Sequence, residues 1–208
     1  MFHVKHEDLQ RVAGFSPGAP IISRLQTFAD LLAQWNRHIN LVSRDDLPRL
    51  WTRHIADSLQ LIPLLPQNLS AAIDLGSGAG FPGLVLAIAR DIPFTLIEAD
   101  RRKAVFLAEA ARVTNAPVRI ENTRIEHAHV RPARLVTARA LAPLPALLAL
   151  VQPILAPDGF ALFLAGKNVE SELTRVSRRW HMRLERFPSR TNPEASVLKV
   201  SEISRDRG

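Results

Sequence analysis

The sequence of 208 residues contains no cysteine and no tyrosine. Without thiols, a disulfide framework, a thiolate metal site and a cysteine nucleophile are all excluded. The histidines do not have the spacing of metal ligands, so no metal site is expected. Lysine is also scarce, because only 4 of the 27 basic residues are lysines, and the net charge is +7. An excess of arginine suits phosphate groups and base planes, although it can equally reflect genome composition.

A long uninterrupted apolar run is also missing. The first twenty residues lack the apolar core of a signal peptide. The 18 uncharged residues 140–157 include four prolines, which would break a membrane helix and leave backbone groups unpaired in lipid. We therefore expect a loop and a short buried helix there, in a cytoplasmic protein that has no membrane partner.

The pattern of apolar residues predicts an α/β protein with a helical N-terminal extension. Apolar spacing predicts one helix from Ile21 to about Asn40 and a second from Pro48 to Ile62. From Ala71 onward, strands alternate with helices, which is typical of a mostly parallel, doubly wound sheet. The extension is expected over residues 1–68 and the α/β domain over 69–208, as one compact unit overall. The predicted strands cover residues 71–75, 93–99, 117–120, 135–140, 159–166, 183–187 and 196–203, of which the last two form an antiparallel hairpin.

The strongest functional signal is the segment IDLGSGAGFPG, residues 73–83. In open α/β sheets, ligands bind beyond the carboxyl ends of the strands, near the first strand-to-helix turn. Gly76, Gly78 and Gly80 allow a tight turn and a close approach of the backbone to a ligand. The next strand ends at Glu98, which lies 22 residues after Gly76 and can accept both hydroxyls of a ribose. The segment therefore predicts a nucleoside ligand.

Two nucleoside cofactors fit this loop. Gly78, Gly80 and Gly83 match the G-x-G-x-x-G pattern, which predicts an NAD-dependent oxidoreductase. Asp74 favours S-adenosylmethionine, since a carboxylate at the strand end suits its cationic amino group better than a pyrophosphate. In an alternative interpretation, Asp74 only accepts hydrogen bonds from local backbone N–H groups. A third hypothesis is a non-catalytic RNA-binding protein that has a methyltransferase fold.

Several separate motifs resemble those of one known family. In order they are WNRHINLVSR (35–44), RHIADSL (53–59), DLGSGAGFPGL (74–84), TRIE (123–126), TARALAPL (137–144) and LFLAGK (162–167). They are similar to the bacterial small-subunit (16S) rRNA guanine-N7 methyltransferases, also called glucose-inhibited division protein B. The resemblance covers residues 25–200 and implies a class I S-adenosylmethionine-dependent methyltransferase fold, Rossmann-like with about seven strands. It also implies S-adenosylmethionine as the cofactor and methylation of one guanine in the decoding region of the rRNA.

The resemblance further implies which residues form the site. The residues expected to contact the cofactor are Asp74 from the charge argument and, from the resemblance, Gly76, Gly78, Phe81, Glu98 at the ribose, Ile125 and Glu126 at the adenine, and Arg139. Arg139 is also the expected catalytic residue, as a positioner of the guanine. The family often has a lysine at the position of Ala165, and the nearest lysine here is Lys167.

Other polar residues are candidates for contact with RNA or with the target base. His54 lies near Arg53, Asp57 and Ser58 on one predicted helix, where a Ser-His-Asp triad cannot expose a nucleophile. These side chains are expected either to form a polar packing contact, with Arg53 paired to Asp57, or to cover the cofactor or the target base. The full set of RNA candidates is Asn40, His54, Arg101, Arg102, Lys167, Arg178 and Arg179. The expected partner is small-subunit rRNA or the ribosomal subunit, bound by a monomer without a metal ion.

Overall fold

The fold is a seven-stranded sheet with helices on both faces. The computed structural model describes residues 9, 10, 12, 14, 16–139, 141–176 and 179–205. Its strands are β1 Ala72–Leu75, β2 Phe94–Ile97, β3 Val118–Glu121, β4 Ala133–Arg139, β5 Leu155–Ala165, β6 Trp180–Pro188 and β7 Ser196–Arg205. They are ordered β3-β2-β1-β4-β5-β7-β6. The first five strands are parallel to one another, and β7 is antiparallel to both β5 and β6. The predicted α/β class and the C-terminal antiparallel hairpin are therefore confirmed.

The sheet separates the apolar core into two clusters, one on each of its faces. The helices are α1 Ala19–Trp35, α2 Ala56–Leu59, α3 Gly83–Arg90, α4 Arg101–Thr114, α5 Leu144–Val151 and α6 Val169–Val176. Buried residues of α1, α3 and α4 form one cluster, and those of α5 and α6 form the other. The centre of the sheet is buried on both faces, and all four residues of β1 are buried.

The N-terminal helix α1 shares its core with the sheet. Its buried Phe28 packs against Phe81, with ring centroids 5.5 Å apart, and against Phe106 at 6.3 Å. At its polar edge, the Arg24 guanidinium donates to the carbonyl of Thr114 at 2.8 Å and pairs with Asp91. Residues far apart in sequence are thus fixed around the glycine-rich loop that follows β1.

The second predicted helix, over residues 48–62, is wrong as a single helix. The chain instead forms a 3₁₀ turn at Leu47–Arg49, a π-helical turn at Trp51–Ile55, the short α2, and a second 3₁₀ turn at Ile62–Leu64. Pro48 and Pro63 each lie at the start of a 3₁₀ turn, where a missing N–H costs nothing.

The first helix ends earlier than its apolar pattern predicts, at Trp35 rather than near Asn40. The side-chain oxygen of Asn36 accepts the backbone N–H groups of Leu41 and Val42 at 2.9 and 3.0 Å. This local alternative to helical hydrogen bonding turns the chain.

Local sequence also determines where other elements begin and end. Asp100 caps α4 by accepting the N–H groups of Arg102 and Lys103, and Asn115 ends that helix in the left-handed region at φ 49°. Within the uncharged run, α5 is the short buried helix, while residue 140 lies outside the described part. No helix in the described part of the chain is long and apolar enough to cross a membrane.

Candidate active site

The carboxyl ends of three parallel strands meet at one edge of the sheet. Leu75, the last residue of β1, is paired with Ile97 of β2 and with Ala138 of β4. The glycine loop, Glu98 and Arg139 directly follow or end these strands, so the topology brings them together. This is the edge at which open α/β sheets bind ligands.

The glycine loop is tied to the acid at the end of β2. The N–H of Gly78 donates to the Glu98 carboxylate at 2.7 Å, and the N–H of Asp100 donates to its other oxygen at 2.8 Å. Gly78 has φ +56°, and a Cβ there would meet no atom nearer than the Gly76 carbonyl at 3.8 Å. A side chain at Gly78 would therefore extend into the open space beside Glu98.

That open space is a cavity of about 350 Å³, which we call the glycine-loop cavity. The predicted cofactor residues that line it are Gly76, Gly78, Glu98, Ile125, Glu126 and Arg139. Ile125 and Glu126 lie on a 3₁₀ turn after β3, on the far side of Glu98 from the loop. The cavity thus contains a carboxylate, a stretch of glycine backbone that a ligand can approach closely, and an aliphatic side chain. These are the groups that a nucleoside site requires.

Asp74 and Phe81 lie behind this cavity and do not line it. Asp74 is 0% exposed, and its carboxylate accepts the hydroxyl of Thr137 at 2.6 Å. Burial raises the pKa of Asp74 to about 6. A Cβ on Gly83 would lie 2.5 Å from that of Asp74, so the carboxylate sits directly beneath the start of α3. The structure does not place Asp74 where it touches a ligand in the cavity.

Phe81 supports the site from below. It is 3% exposed, and the guanidinium carbon of Arg139 lies 4.9 Å from its ring centroid. His54 stacks on the same ring, with centroids 5.0 Å apart and an angle of 23° between the planes. The ring of Phe81 therefore restrains the positions of the Arg139 and His54 side chains, which both pack against it.

Arg139 lies at the junction of two cavities. It lines the glycine-loop cavity and also a second cavity of about 500 Å³, which we call the arginine cavity. Its side chain is 19% exposed, and one terminal nitrogen lies 3.7 Å from the Asp57 carboxylate. The walls of the arginine cavity come from residues 46–57, from the ends of β4 and β5, and from the loop between β6 and β7.

The predicted pair between Arg53 and Asp57 is wrong. Arg53 is exposed and its guanidinium lies 3.3 Å from Asp46, whereas Asp57 faces inward and pairs with Arg139. Both side chains line the arginine cavity, but each lies nearer to another charged group than to the other. Asp46 also lies 3.3 Å from Arg49. The hydrogen bond from the Ser43 hydroxyl and the nearby cations hold the pKa of Asp46 below its usual value.

His54 forms a buried wall of the arginine cavity. It is 8% exposed, and neither ring nitrogen has a hydrogen-bond partner among the described residues. Burial lowers the pKa of His54 to about 4, and the charge of Arg139 acts in the same direction. The folded protein therefore favours the neutral ring near pH 7, and the contact of His54 with RNA stays a prediction.

The pKa of His54 predicts how the fold responds to acid. Because this pKa is lower in the folded protein than in the unfolded chain, the stabilisation is present above the unfolded value and is lost as the pH falls towards 4. Between pH 7 and pH 5 the loss is about 2 kcal/mol in the free energy of unfolding. The raised pKa of Asp74 acts in the opposite direction over the same interval, so the two effects partly cancel in the parent.

The His54 contribution is measured as a difference between two proteins. The substitution His54→Phe removes the titration and keeps a ring that can stack on Phe81. Urea unfolding at both pH values is expected to show a loss in the parent that exceeds the loss in the variant by about 2 kcal/mol. Equal losses in the two proteins would show that His54 is not held neutral by burial.

The RNA candidates lie at several places around the site. Asn40 and Arg102 line a surface cavity of about 290 Å³ together with Lys103, which also lines the glycine-loop cavity. Arg101 is exposed on the first turn of α4, and Arg179 is exposed just before β6. Arg178 lies outside the described residues.

Lys167 is exposed and lines neither of the two main cavities. It belongs to a separate cavity of about 250 Å³, next to Glu172. Ala165, where the family often has a lysine, lines both this cavity and the arginine cavity. The structure therefore does not bring Lys167 into the position that a lysine at residue 165 would occupy.

Sequence reasoning missed several residues of the arginine cavity. The polar ones are Asp46, Arg49, Thr52, Ser189, Thr191, Asn192 and Ser196. Those in the loop after β6 carry no motif, and only the folded chain brings them beside Asp57. The one available signal was the i, i+3 spacing of Asp46 and Arg49, which pair on the cavity rim.

Known proteins with similar sequences share one description. Residues 21–195 match the family described as rRNA small subunit methyltransferase G. A ribosomal RNA small subunit methyltransferase G from Granulibacter bethesdensis is 49% identical over 212 residues, covering 99% of this chain and 100% of the relative. The protein of the same name from Gluconobacter oxydans is 53% identical over 182 residues, covering 88% of this chain and 94% of the relative.

Solved structures of other proteins share the fold. TYW2 of M. jannaschii in complex with AdoMet aligns with a TM-score of 0.56 at 13% identity, covering 74% of this chain and 76% of that one. The ribosomal protein L11 methylase of Lactobacillus delbrueckii subsp. bulgaricus gives a TM-score of 0.55 at 16% identity, covering 74% and 79%. At these identities the likeness concerns the fold alone.

Proposed function

Because the chain belongs to the rRNA small subunit methyltransferase G family, we propose that it methylates nitrogen 7 of a guanine in 16S rRNA. S-adenosylmethionine is the methyl donor of this class of enzyme. In the proposal the cofactor occupies the glycine-loop cavity and the guanine occupies the arginine cavity. The observation that carries this assignment is the position of Arg139, which lines both cavities.

The residues of the glycine-loop cavity suit the cofactor. The Glu98 carboxylate accepts one backbone N–H on each oxygen, which leaves a lone pair on each for the two ribose hydroxyls. Ile125 offers an apolar contact for the adenine. The open position at Gly78 leaves room for the ligand next to the backbone.

The reaction requires little from the protein in proton transfer. S-adenosylmethionine supplies a methyl group that is already bound to a cationic sulfur. Guanine nitrogen 7 has a free lone pair at neutral pH, so no general base and no metal ion are needed. The protein therefore contributes mainly the position and alignment of the base.

Arg139 is proposed to position the guanine by donating to oxygen 6 or to a phosphate. The usual bidentate contact of arginine with oxygen 6 and nitrogen 7 would occupy the attacking lone pair, so nitrogen 7 must stay free. The pairing with Asp57 and the contact with Phe81 leave other N–H groups of the planar guanidinium available for this purpose. The net charge of the two reactants is unchanged by methyl transfer, because the sulfonium becomes neutral as the base becomes cationic.

The proposed reaction is tested by locating the label. The protein is incubated with tritiated S-adenosylmethionine and with either small subunits, naked rRNA or tRNA. We expect label in 16S rRNA at one guanine, which then becomes sensitive to borohydride reduction and aniline cleavage, as N7-methylguanine is. Label in another RNA, or at an atom that does not confer this sensitivity, would contradict the proposal.

The basic residues at the start of α4 are proposed to contact RNA phosphate. Arg102 is 74% exposed and only loosely paired with Asp100, at 3.8 Å. If it meets a phosphate, Arg102→Gln should weaken RNA binding and reduce the slope of log affinity against log salt by about 1. The slope is measured by filter binding of rRNA over a range of salt concentrations.

Arg134 provides a matched control for this prediction. It is also exposed and paired with an aspartate, Asp158, but it lies near the start of β4, at the opposite end of that strand from Arg139. Arg134→Gln is expected to leave the salt slope unchanged. Equal slopes in all three proteins would remove Arg102 from the RNA interface.

A further inference from the structure

Asp57 joins Arg139 to the loop between β6 and β7. One oxygen of its carboxylate lies 3.7 Å from a terminal nitrogen of Arg139. The other oxygen accepts the hydroxyl of Thr191 at 2.5 Å and the side-chain amide of Gln60 at 2.6 Å. Because two donors occupy one oxygen, the carboxylate has a fixed rotation, and its second oxygen stays directed at the guanidinium.

A second set of contacts fixes the loop itself. The side-chain oxygen of Gln60 accepts the backbone N–H of Arg190 at 2.8 Å. Within the loop, the Ser189 hydroxyl accepts the N–H groups of Thr191 and Asn192 at 3.2 and 3.3 Å. Thr191 is therefore presented to Asp57 by a loop that is bound to the helical segment at two places.

Arg139 depends on Asp57 for its orientation. Its contact with the face of Phe81 restrains the distance between the guanidinium and the ring. The same contact allows the guanidinium to rotate within its own plane. The ion pair with Asp57 is its only ion pair within the ranges that the structure describes. At 3.7 Å the contact is electrostatic, so Asp57 restrains the guanidinium through the fixed position of its charge, and catalysis by alignment is sensitive to small displacements.

We propose that Asp57 and Thr191 are positioning residues for methyl transfer, which act by orienting the guanidinium of Arg139. The inference rests on the proposed function, in which Arg139 positions the guanine. It adds a polar chain from the C-terminal hairpin to the reacting base. Neither residue touches the cofactor in this scheme.

The pair Thr191→Val and Thr191→Ser tests the hydroxyl. Valine keeps the shape of threonine and removes the hydrogen bond, whereas serine keeps the hydroxyl. We expect Thr191→Val to lower kcat for small subunits about tenfold, with KM for the cofactor and Tm close to those of the parent. Thr191→Ser should retain nearly the parental kcat. A fall in Tm without a change in kcat would indicate a merely structural role and overturn the inference.

A double-mutant comparison shows whether the hydroxyl acts through Arg139. In an Arg139→Ala background, Thr191→Val should cause no further loss of rate, because the group that it orients is gone. The same fractional loss in both backgrounds would mean that the loop acts in another way, for instance by direct contact with RNA. That outcome would overturn the inference and leave the proposed function intact.

The orientation of Arg139 can also be followed without turnover. Its guanidinium Nε–H resonance is assigned in a ¹⁵N-labelled sample by its disappearance in Arg139→Lys. We expect Thr191→Val to shift or broaden this resonance and Thr191→Ser to preserve it. An unchanged resonance in Thr191→Val would overturn the inference whatever the RNA substrate is, whereas failure of the parent to methylate guanine would count against the proposed function alone.

Discussion

Replacing Arg139 by alanine is expected to leave the fold intact and to reduce the rate of methyl transfer about a hundredfold. The fold should persist because Asp57, the ion-pair partner of Arg139, keeps its hydrogen bonds from Thr191 and Gln60. The rate should fall because the residue that lines both cavities no longer aligns the base with the cofactor. The measurement is single-turnover methylation of small subunits at matched saturation with cofactor, with Tm recorded for each protein.

Two further variants control this result. Arg139→Lys is not expected to restore the rate, since a point charge cannot replace a planar fork. Arg134→Ala, near the other end of the same strand, should methylate like the parent. Near-parental turnover in Arg139→Ala would mean that Arg139 is only a partner for Asp57 and would remove it from the active site.

The substitution Gly78→Val is expected to abolish binding of S-adenosylmethionine. The residue has φ +56°, which a β-branched side chain strongly disfavours, and its side chain would extend into the glycine-loop cavity. Gly78→Ala separates the two causes, because it introduces the backbone strain, about 1–2 kcal/mol, but little volume. Calorimetric titration with the cofactor and with its demethylated product should show weakened binding for alanine and none for valine.

A glycine with ordinary backbone angles serves as the control for Gly78. Gly18 precedes α1, and a Cβ there would meet only Pro20, at 3.7 Å. Gly18→Ala should leave the affinity for cofactor unchanged. An unchanged affinity in a folded Gly78→Val protein would show that the cofactor binds elsewhere.

The sequence was most informative where function depends on neighbours along the chain. The contact between Gly78 and Glu98 joins a glycine loop to the end of the next strand, and both signals are local patterns that the doubly wound topology brings together. The cap at Asp100 is also a local effect. Ile125 and Glu126, which the resemblance assigns to the adenine, line the same cavity, and their contact with the cofactor stays a prediction.

The arginine cavity was not predictable in the same way. Asp57 and Thr191 are 134 residues apart, and nothing in the composition of either segment indicates that they meet. Their contact exists because β7 inserts beside β5 and carries the preceding loop to α2. The wrong pairing of Arg53 with Asp57 has the same origin, since helical spacing cannot show that the guanidinium of Arg139, at the end of β4, lies beside Asp57.

The position of β7 inside the sheet has a consequence for the order in which the enzyme matures. The strand β7, which follows β6 along the chain, lies between β5 and β6, and its residues Val197, Leu198 and Val200 are buried. A nascent chain that has not yet released β7 from the ribosome therefore leaves β5 as an unpaired edge, open to non-native pairing. In such a chain, the loop that carries Thr191 is not yet attached to the sheet through β7. Pairing of β7 with β5 is therefore needed before Thr191 can complete its wall of the arginine cavity.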